Sequence, residues 1–302
     1  MDIMYWIVVA VVIDGLVISA NIVEIMLLLK RWKRLDRIEH ILFSLCVADL
    51  TCGLFMFGQD AYQLSLIATK SQSNMTSTTA LALDCMIGFF ILVSHFHVSA
   101  IALERIVAVS KPLKYSVFTT QRCKVLTISL VWVLALLIAP ILTLAQNFSN
   151  KDMAGQHVLA GTIAAACALV FISYISLTYL LIKRERVMKE LMQPEQKKQL
   201  RDRQATSFCL LFGFAFLICM MPYAVGLFVV DLFHPIQIIL LTAYHFVNPL
   251  VYFVKYYYNE RARANTIMGN SASHLLTRSP RSVTRTTFAI SGDSTVTNSF
   301  RA

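Results

Sequence analysis

The sequence predicts an all-α protein: a seven-transmembrane helix bundle, a short amphipathic eighth helix and a disordered C-terminal tail. Three observations lead there. Hydrophobic residues make up 57% of the 302 positions and charged residues 15%, with a mean hydropathy of +0.64, which is more apolar than soluble domains. Seven apolar runs are long enough to cross about 30 Å of hydrocarbon, which takes roughly 20 helical residues. The basic residues cluster after alternate runs, as they do in multi-pass membrane proteins.

The first run, about 3–29, starts at Ile3 and is followed rather than preceded by a basic cluster, Lys30, Arg31, Lys33, Arg34 and Arg37. It reads as its own anchor and not as a cleavable leader. The second run, 40–67, leads through a polar loop to the third, 80–108, and the basic residues Lys111, Lys114, Arg122 and Lys124 come before or at the start of the fourth, 124–145. The fifth, 157–182, and the sixth, 205–231, are joined by a dense basic stretch from Lys183 to Arg203, which reads as helical extensions broken near Pro194. The seventh, 235–255, contains Asn248-Pro249-Leu250-Val251-Tyr252, a helix breaker and two polar groups set in an apolar span. Proline deletes one backbone hydrogen bond there, so the helix must kink and find polar partners inside a bundle.

The run from Tyr256 to Met268 is amphipathic, aromatic and basic, and is expected to lie on the membrane surface. No cysteine follows Cys219, so palmitate is not expected to anchor it. From Gly269 to Ala302 thirteen Ser and Thr dilute the apolar content below what a packed core needs, which predicts disorder. The chain thus divides into a membrane domain, 1–268, and a tail, 269–302.

All but Lys70 and Lys151 of the 27 Lys and Arg fall on one face, which predicts a cytoplasmic C-terminus and an extracellular N-terminus. The net charge of +10 follows from that topology and from lipid headgroups, and calls for no nucleic-acid partner. The two sequons, at Asn74 and Asn147, fall in loops expected to be extracellular; Asn74 has the roomier loop and Asn147 hugs a helix end. The seven cysteines lie in or at the ends of apolar runs and make no disulfide framework. With two residues ahead of the first helix, no large extracellular binding domain is expected, which favours a small or amphiphilic ligand.

Specific residues accumulate along these runs: Asn21; Leu45-Cys46-Val47-Ala48-Asp49-Leu50; Glu104-Arg105-Ile106 with Lys111-Pro112-Leu113-Lys114-Tyr115; Trp132; Phe216 with Cys219-Met220-Met221-Pro222; and Asn248-Pro249-Leu250-Val251-Tyr252. In that order and spacing the chain resembles a rhodopsin-like (class A) G-protein-coupled receptor over roughly residues 10–268. Within that family it is similar to the branch holding melanocortin, cannabinoid and lysophospholipid receptors, since it lacks the outer cysteine of helix three and the proline of helix five.

The resemblance implies that an extracellular small-molecule, lipid or short-peptide signal passes to a heterotrimeric G protein by outward movement of the sixth helix. It implies that Glu104, Arg105 and Ile106 form the coupling end, with Asp202 holding Arg105 in the inactive state. It implies an activation network of Asn21, Asp49, Ser94, His95, Tyr174, Phe216, Met220, Pro222, His245, Asn248, Pro249 and Tyr252. Tyr179 is an equal match to Tyr174. Met220 stands where the family carries a tryptophan, and His95 where it carries a branched aliphatic.

Asp49 and Ser94 match two ligands of the family's sodium site, whereas Tyr244 and His245 replace two others. A protonated His245 pairing with Asp49, or a neutral His245 hydrogen-bonded in the bundle, are both open. The resemblance puts the ligand pocket in the outer half, at Asp60, Asp84, Ile87, Ile91, Tyr223, Leu227, Ile238 and Thr242. Ile87 stands where amine receptors carry aspartate, and Thr242 where opsins carry lysine. Asp60 and Asp84 would make an acidic pair for a cationic group. Phosphorylation of the tail by a receptor kinase would recruit an arrestin.

Three other readings compete, one of them a receptor-like chaperone or dimer partner that no longer signals. Buried Asp14, Glu24, Asp49 and His245 would also suit a transporter or ion-conducting protein. An enzyme is not expected, because no nucleophile–base pair or metal-ligand cluster appears, and His95 and His97, two apart, point different ways on a helix.

Overall fold

The structure, a computed structural model, describes residues 3–35, 37–70, 76–111, 115, 120–148, 164–165, 167–180, 182–183, 211, 214–215, 217–222, 225, 239–257 and 260–261. All seven expected runs are helical where described, and no strand occurs among the described residues. Helix α1 spans Ile3–Lys30, α2 Arg37–Thr69, α3 Ser77–Ser110 and α4 Gln121–Phe148, with a 3₁₀ turn at Trp32–Arg34 between α1 and α2. Helix α5 spans Cys167–Leu180. Residues 217–222 form α6 and residues 239–255 form α7.

Four of these helices, α1 to α4, are long and apolar enough to cross a membrane. At 33 and 34 residues, α2 and α3 are about 50 Å long at 1.5 Å per residue. That exceeds a hydrocarbon layer of about 30 Å, so both must tilt or project beyond it. Local chemistry sets their ends. Lys70 closes α2 in the left-handed region, with φ 49°, and its N–H donates to the Ile67 carbonyl at 3.2 Å. Thr76, the hydroxyl residue of the Asn74 sequon, caps α3 by accepting the Thr79 N–H at 3.2 Å.

Close backbone approach joins α1 to α2. A Cβ on Gly53 would stand 3.0 Å from Val17 Cγ1, so a larger residue here would force Val17 to give by a few tenths of an ångström. The main core lies among α2, α3 and α4, where Ala48, Cys52, Val93, Val131, Ala135 and Ala139 are buried around Phe90. Phe90 stacks on Phe55 at 5.9 Å and meets Trp132 edge-on at 6.2 Å. The outward face of α4 carries Leu126, Leu136 and Ile141, each more than 60% exposed, which is the composition of a lipid-facing surface.

The chain divides into two compact units, Met1–Lys255 and Tyr256–Ala302. In the second, residues 256–257 and 260–261 are helical. The rest of the expected eighth helix, the tail, the loop containing Asn74, and Asp202, Phe216, Tyr223, Leu227 and Ile238 lie outside the described residues. Asn147 falls within the last turns of α4 rather than in a loop. The six cysteines described, Cys85 among them, are all free thiols.

Candidate functional site

The centre of the bundle holds a cluster of polar side chains that no lipid-facing helix would carry. Asp49 of α2 is fully buried, and both its oxygens are engaged by α7: His245 Nδ1 lies 2.6 Å from Oδ1, and Asn248 Nδ2 donates to Oδ2 at 2.6 Å. His245 and Asn248 lie three residues apart and so project from one face of α7. The other ring nitrogen of His245 faces the Cys52 thiol at 3.8 Å. From α1, Asn21 Nδ2 donates to the carbonyl of His245 at 3.2 Å and to that of Val17 at 2.8 Å. One turn ahead of Pro249, α7 is therefore tied to α1 through its backbone and to α2 through two side chains.

This arrangement bears on what the residues offer a sodium ion. The Ser94 hydroxyl lies 3.0 Å from the Tyr244 hydroxyl, fully buried between α3 and α7. With both Asp49 oxygens and the Ser94 hydroxyl already engaged, the donor set matched by Asp49 and Ser94 does not fit sodium. No group of three or more His, Cys, Asp or Glu that could hold a metal occurs among the described residues.

The two histidines of α3 diverge, as their spacing requires. His95 Nδ1 donates to the Ile91 carbonyl at 2.6 Å, and its ring meets Tyr244 at 5.7 Å. His97 turns to α2 and α4. Its Nδ1 donates to the Val93 carbonyl at 2.7 Å, and its Nε2 lies 3.0 Å from Ser44 Oγ, which accepts the Trp132 indole N–H at 2.9 Å. Trp132, Ser44 and His97 thus form one satisfied chain across three helices. The motif reading did not single out Ser44, and the only available signal was a hydroxyl and an imidazole in otherwise apolar runs.

At the Arg105 end, Glu104 is held from two sides. Tyr115 donates to Glu104 Oε1 at 2.6 Å, and Arg37 Nε lies 3.7 Å from the same oxygen while Arg37 Nη2 donates to Thr127 at 3.3 Å. The neighbouring pair Glu39–Lys255, 3.7 Å apart, joins α2 to α7. Burial first, and then Glu104, push the Tyr115 phenol well above its usual pKa, so it remains a donor at physiological pH. Arg105 and Ile106 are partly buried, and Asp202, the expected partner of Arg105, is outside the described residues. Tyr115→Phe removes a hydrogen bond to a carboxylate, a contact of about 1.5–3 kcal/mol. It is expected to raise ligand-free signalling, read as basal nucleotide exchange; an unchanged basal rate would mean that this contact does not restrain Glu104.

Burial separates the two tyrosine matches of α5. Tyr174 is 6% exposed and faces the bundle, whereas Tyr179 is 64% exposed on its outer side. Met220 and Tyr252 are buried, and Pro222 of α6 is exposed.

The expected ligand residues are less concentrated. Ile87 and Ile91 pack against the α2–α3–α4 core. Thr242 is buried in α7. No hydrogen bond or ion pair joins Asp60 to Asp84 among the described residues, and the acidic neighbour that Asp60 does share is Asp14 of α1. Asp14 is itself fully buried with neither oxygen hydrogen-bonded, and Glu24 is buried beside the Cys46 thiol. A buried polar group without a partner costs about 1–3 kcal/mol. Asp14→Leu is therefore expected to raise the apparent melting temperature in detergent by a few degrees, and a fall would show that Asp14 has a stabilising partner.

A polar chain through the middle of a helical bundle, anchored on the seventh helix beside Pro249, is joined by one comparison that covers most of the chain. The model of the 7 transmembrane receptor (rhodopsin family) matches residues 20–255. The chain belongs to that family. It is a multi-pass membrane receptor, not an enzyme. Among curated proteins it is similar to the 5-hydroxytryptamine receptor 2B of Rattus norvegicus, 27% identical over 174 residues, and to that of Dichotomyctere fluviatilis, 31% identical over 127 residues. Those stretches cover 53% and 40% of this receptor but 35% and 25% of the relatives, so the chain spans about a third or less of the curated relatives it matches.

Proposed function

We propose that the receptor passes an extracellular small-molecule, lipid or short-peptide signal to a heterotrimeric G protein by outward movement of the sixth helix. In this reading the N-terminus is extracellular, the C-terminus cytoplasmic, and the protein lies in the plasma membrane. The observation that carries it is the Asp49–His245–Asn248 cluster beside Pro249, a set of buried hydrogen bonds that a moving α7 would break and remake. Glu104 and Arg105 form the coupling end, Tyr174 and Tyr252 supply phenols that reach toward Arg105 on opening, and Pro222 and Pro249 are the hinges. The Ser/Thr-rich tail takes phosphate from a receptor kinase and then binds an arrestin.

The curated relatives are named for 5-hydroxytryptamine, an amine, yet Ile87 occupies the position at which amine receptors carry their aspartate. A different ligand class follows. The deciding experiment is nucleotide exchange on a promiscuous G protein by purified receptor challenged with peptides, lipids, nucleosides and 5-hydroxytryptamine. Exchange stimulated by one of these and lost in Arg105→Ala supports the reading. Ligand-free currents or uptake in vesicles, with no exchange under any condition, favours the ion-conducting alternative to which the buried Asp14 and Glu24 point.

His245 standing in place of sodium has a consequence of definite sign. If the charged pair holds the inactive state, that state binds the extra proton, so acidification favours it. Basal exchange is expected to fall with falling pH, to ignore sodium, and to lose its pH dependence in His245→Asn. Strong inhibition by sodium with no pH effect would overturn the assignment.

A further inference from the structure

Along α5, Phe171, Tyr174, Ile175, Thr178, Tyr179 and Ile182 recur at the spacing of one helix face. With Leu211, Phe214 and Leu217 of the sixth run they line a groove of about 740 Å³, a volume within the roughly 300–1,000 Å³ of ordinary ligand pockets. Its walls are open to the outside: Phe171, Ile175, Tyr179 and Phe214 are each at least half exposed, and Tyr174 forms the floor. Of the three hydroxyl-bearing residues in the lining, Thr178 donates to the Tyr174 carbonyl at 2.8 Å, and the exposed lining is almost wholly apolar. A stripe of this kind on a receptor of this family faces hydrocarbon, and its occupant is a chain from the bilayer.

The end of the groove adds a charge. Lys183, exposed and helical, lies one turn beyond Tyr179 and two beyond Ile175 on the same face. Tyr179 beside it has the amphipathic character of a residue at the membrane–water boundary. A lysine at that boundary offers its ammonium to a phosphate or carboxylate while its stem continues the apolar stripe.

We infer that the α5–α6 groove is a binding site for one anionic glycerophospholipid, its acyl chain lying along Phe171, Ile175 and Phe214 and its headgroup meeting Lys183. The inference rests on the proposed function in assigning the lipid to the cytoplasmic leaflet and in giving the site a regulatory role, whereas binding itself does not depend on it. Because the groove lies between the fifth helix and the sixth, whose movement signals, a bound chain resists or supports that movement, and the site is regulatory.

The test uses full-length receptor in micelles of detergent with equal dioleoyl phosphatidylserine and dioleoyl phosphatidylcholine, with bound lipid counted by native mass spectrometry. Micelles have no leaflets and the count needs no signalling, so a wrong topology or absent G-protein coupling would leave the result unaffected. One phosphatidylserine is expected to be retained severalfold over phosphatidylcholine. Lys183→Gln should lose the headgroup preference and keep a lipid, whereas groove-filling Thr178→Trp should lose the lipid. Ile175→Trp fills the same groove from its exposed wall and serves if Thr178→Trp unfolds, as judged by melting temperature. Equal retention of the two lipids, or retention that a folded groove-filling variant does not reduce, marks annular lipid only and overturns the site.

Discussion

Leucine in place of His245 alone is expected to destabilise the receptor more than leucine in place of both His245 and Asp49. The single change leaves the buried Asp49 carboxylate facing a hydrocarbon side chain where it had an imidazole at 2.6 Å, with only Asn248 still donating. Removing one partner of a buried pair typically costs about 3–5 kcal/mol, whereas replacing both with apolar groups is often neutral. In the double variant Asn248 loses one of its partners and keeps Tyr244, so a small residual loss remains. Unfolding of membrane receptors in detergent is commonly irreversible, so the measure is the ranking of apparent melting temperatures at one scan rate. The order wild type, double variant, single variant is expected. A single variant at least as stable as the double one would show that His245 and Asp49 are not energetically coupled.

The second large effect is at the coupling end. Asp202→Ala is expected to raise ligand-free signalling, and Arg105→Ala to abolish signalling. In the family the inactive state pairs an acid of the sixth helix with this arginine, and the loss of such a contact moves the equilibrium by an allosteric coupling of about 1–3 kcal/mol, roughly 5–150-fold. Glu104 Oε1 is already shared by Tyr115 and Arg37, which makes that cluster a second place where the end of α3 is held. Basal nucleotide exchange on a fixed amount of surface-expressed protein separates the outcomes. If Asp202→Ala leaves the basal rate where it was, Arg105 is restrained by something else, and the Tyr115–Glu104–Arg37 cluster becomes the first candidate. Comparing Asp202→Ala with Tyr115→Phe and with the double variant measures whether the two restraints act independently.

Much of the candidate site was legible because its residues are expensive where they stand. Asp49, Asn248 and Arg105 in apolar runs are conspicuous to any reading that asks what a membrane tolerates, and all three belong to the polar frame of the bundle or its end. His245 was legible as a departure from the sodium site, but its position did not say whether it replaced the ion or merely sat nearby. Ser94 was ambiguous for a related reason. Its place in the chain matches a sodium ligand, yet the tyrosine one residue before His245 captures its hydroxyl. Ser44 and His97 were hidden because neither stands in a motif, and their role exists only when Trp132 from a third helix completes the chain.

The number, length and order of the helices were determined by sequence alone, since they depend on local quantities: the length of an apolar run, the placement of a proline, the basic clusters between runs. The ends of α1 to α4 followed within a few residues for the same reason. Rotation of each helix about its axis was decided only by tertiary structure. A soluble helix shows its inner face by alternating apolar and polar residues, but a membrane helix is apolar toward both lipid and core, so the pattern carries little information about direction. That is why Tyr174 and Tyr179 were equivalent as sequence matches and differ from 6% to 64% in exposure once α5 is packed. It is also why the partners of Asp49, lying 196 and 199 positions away on α7, emerge only when the bundle closes around them.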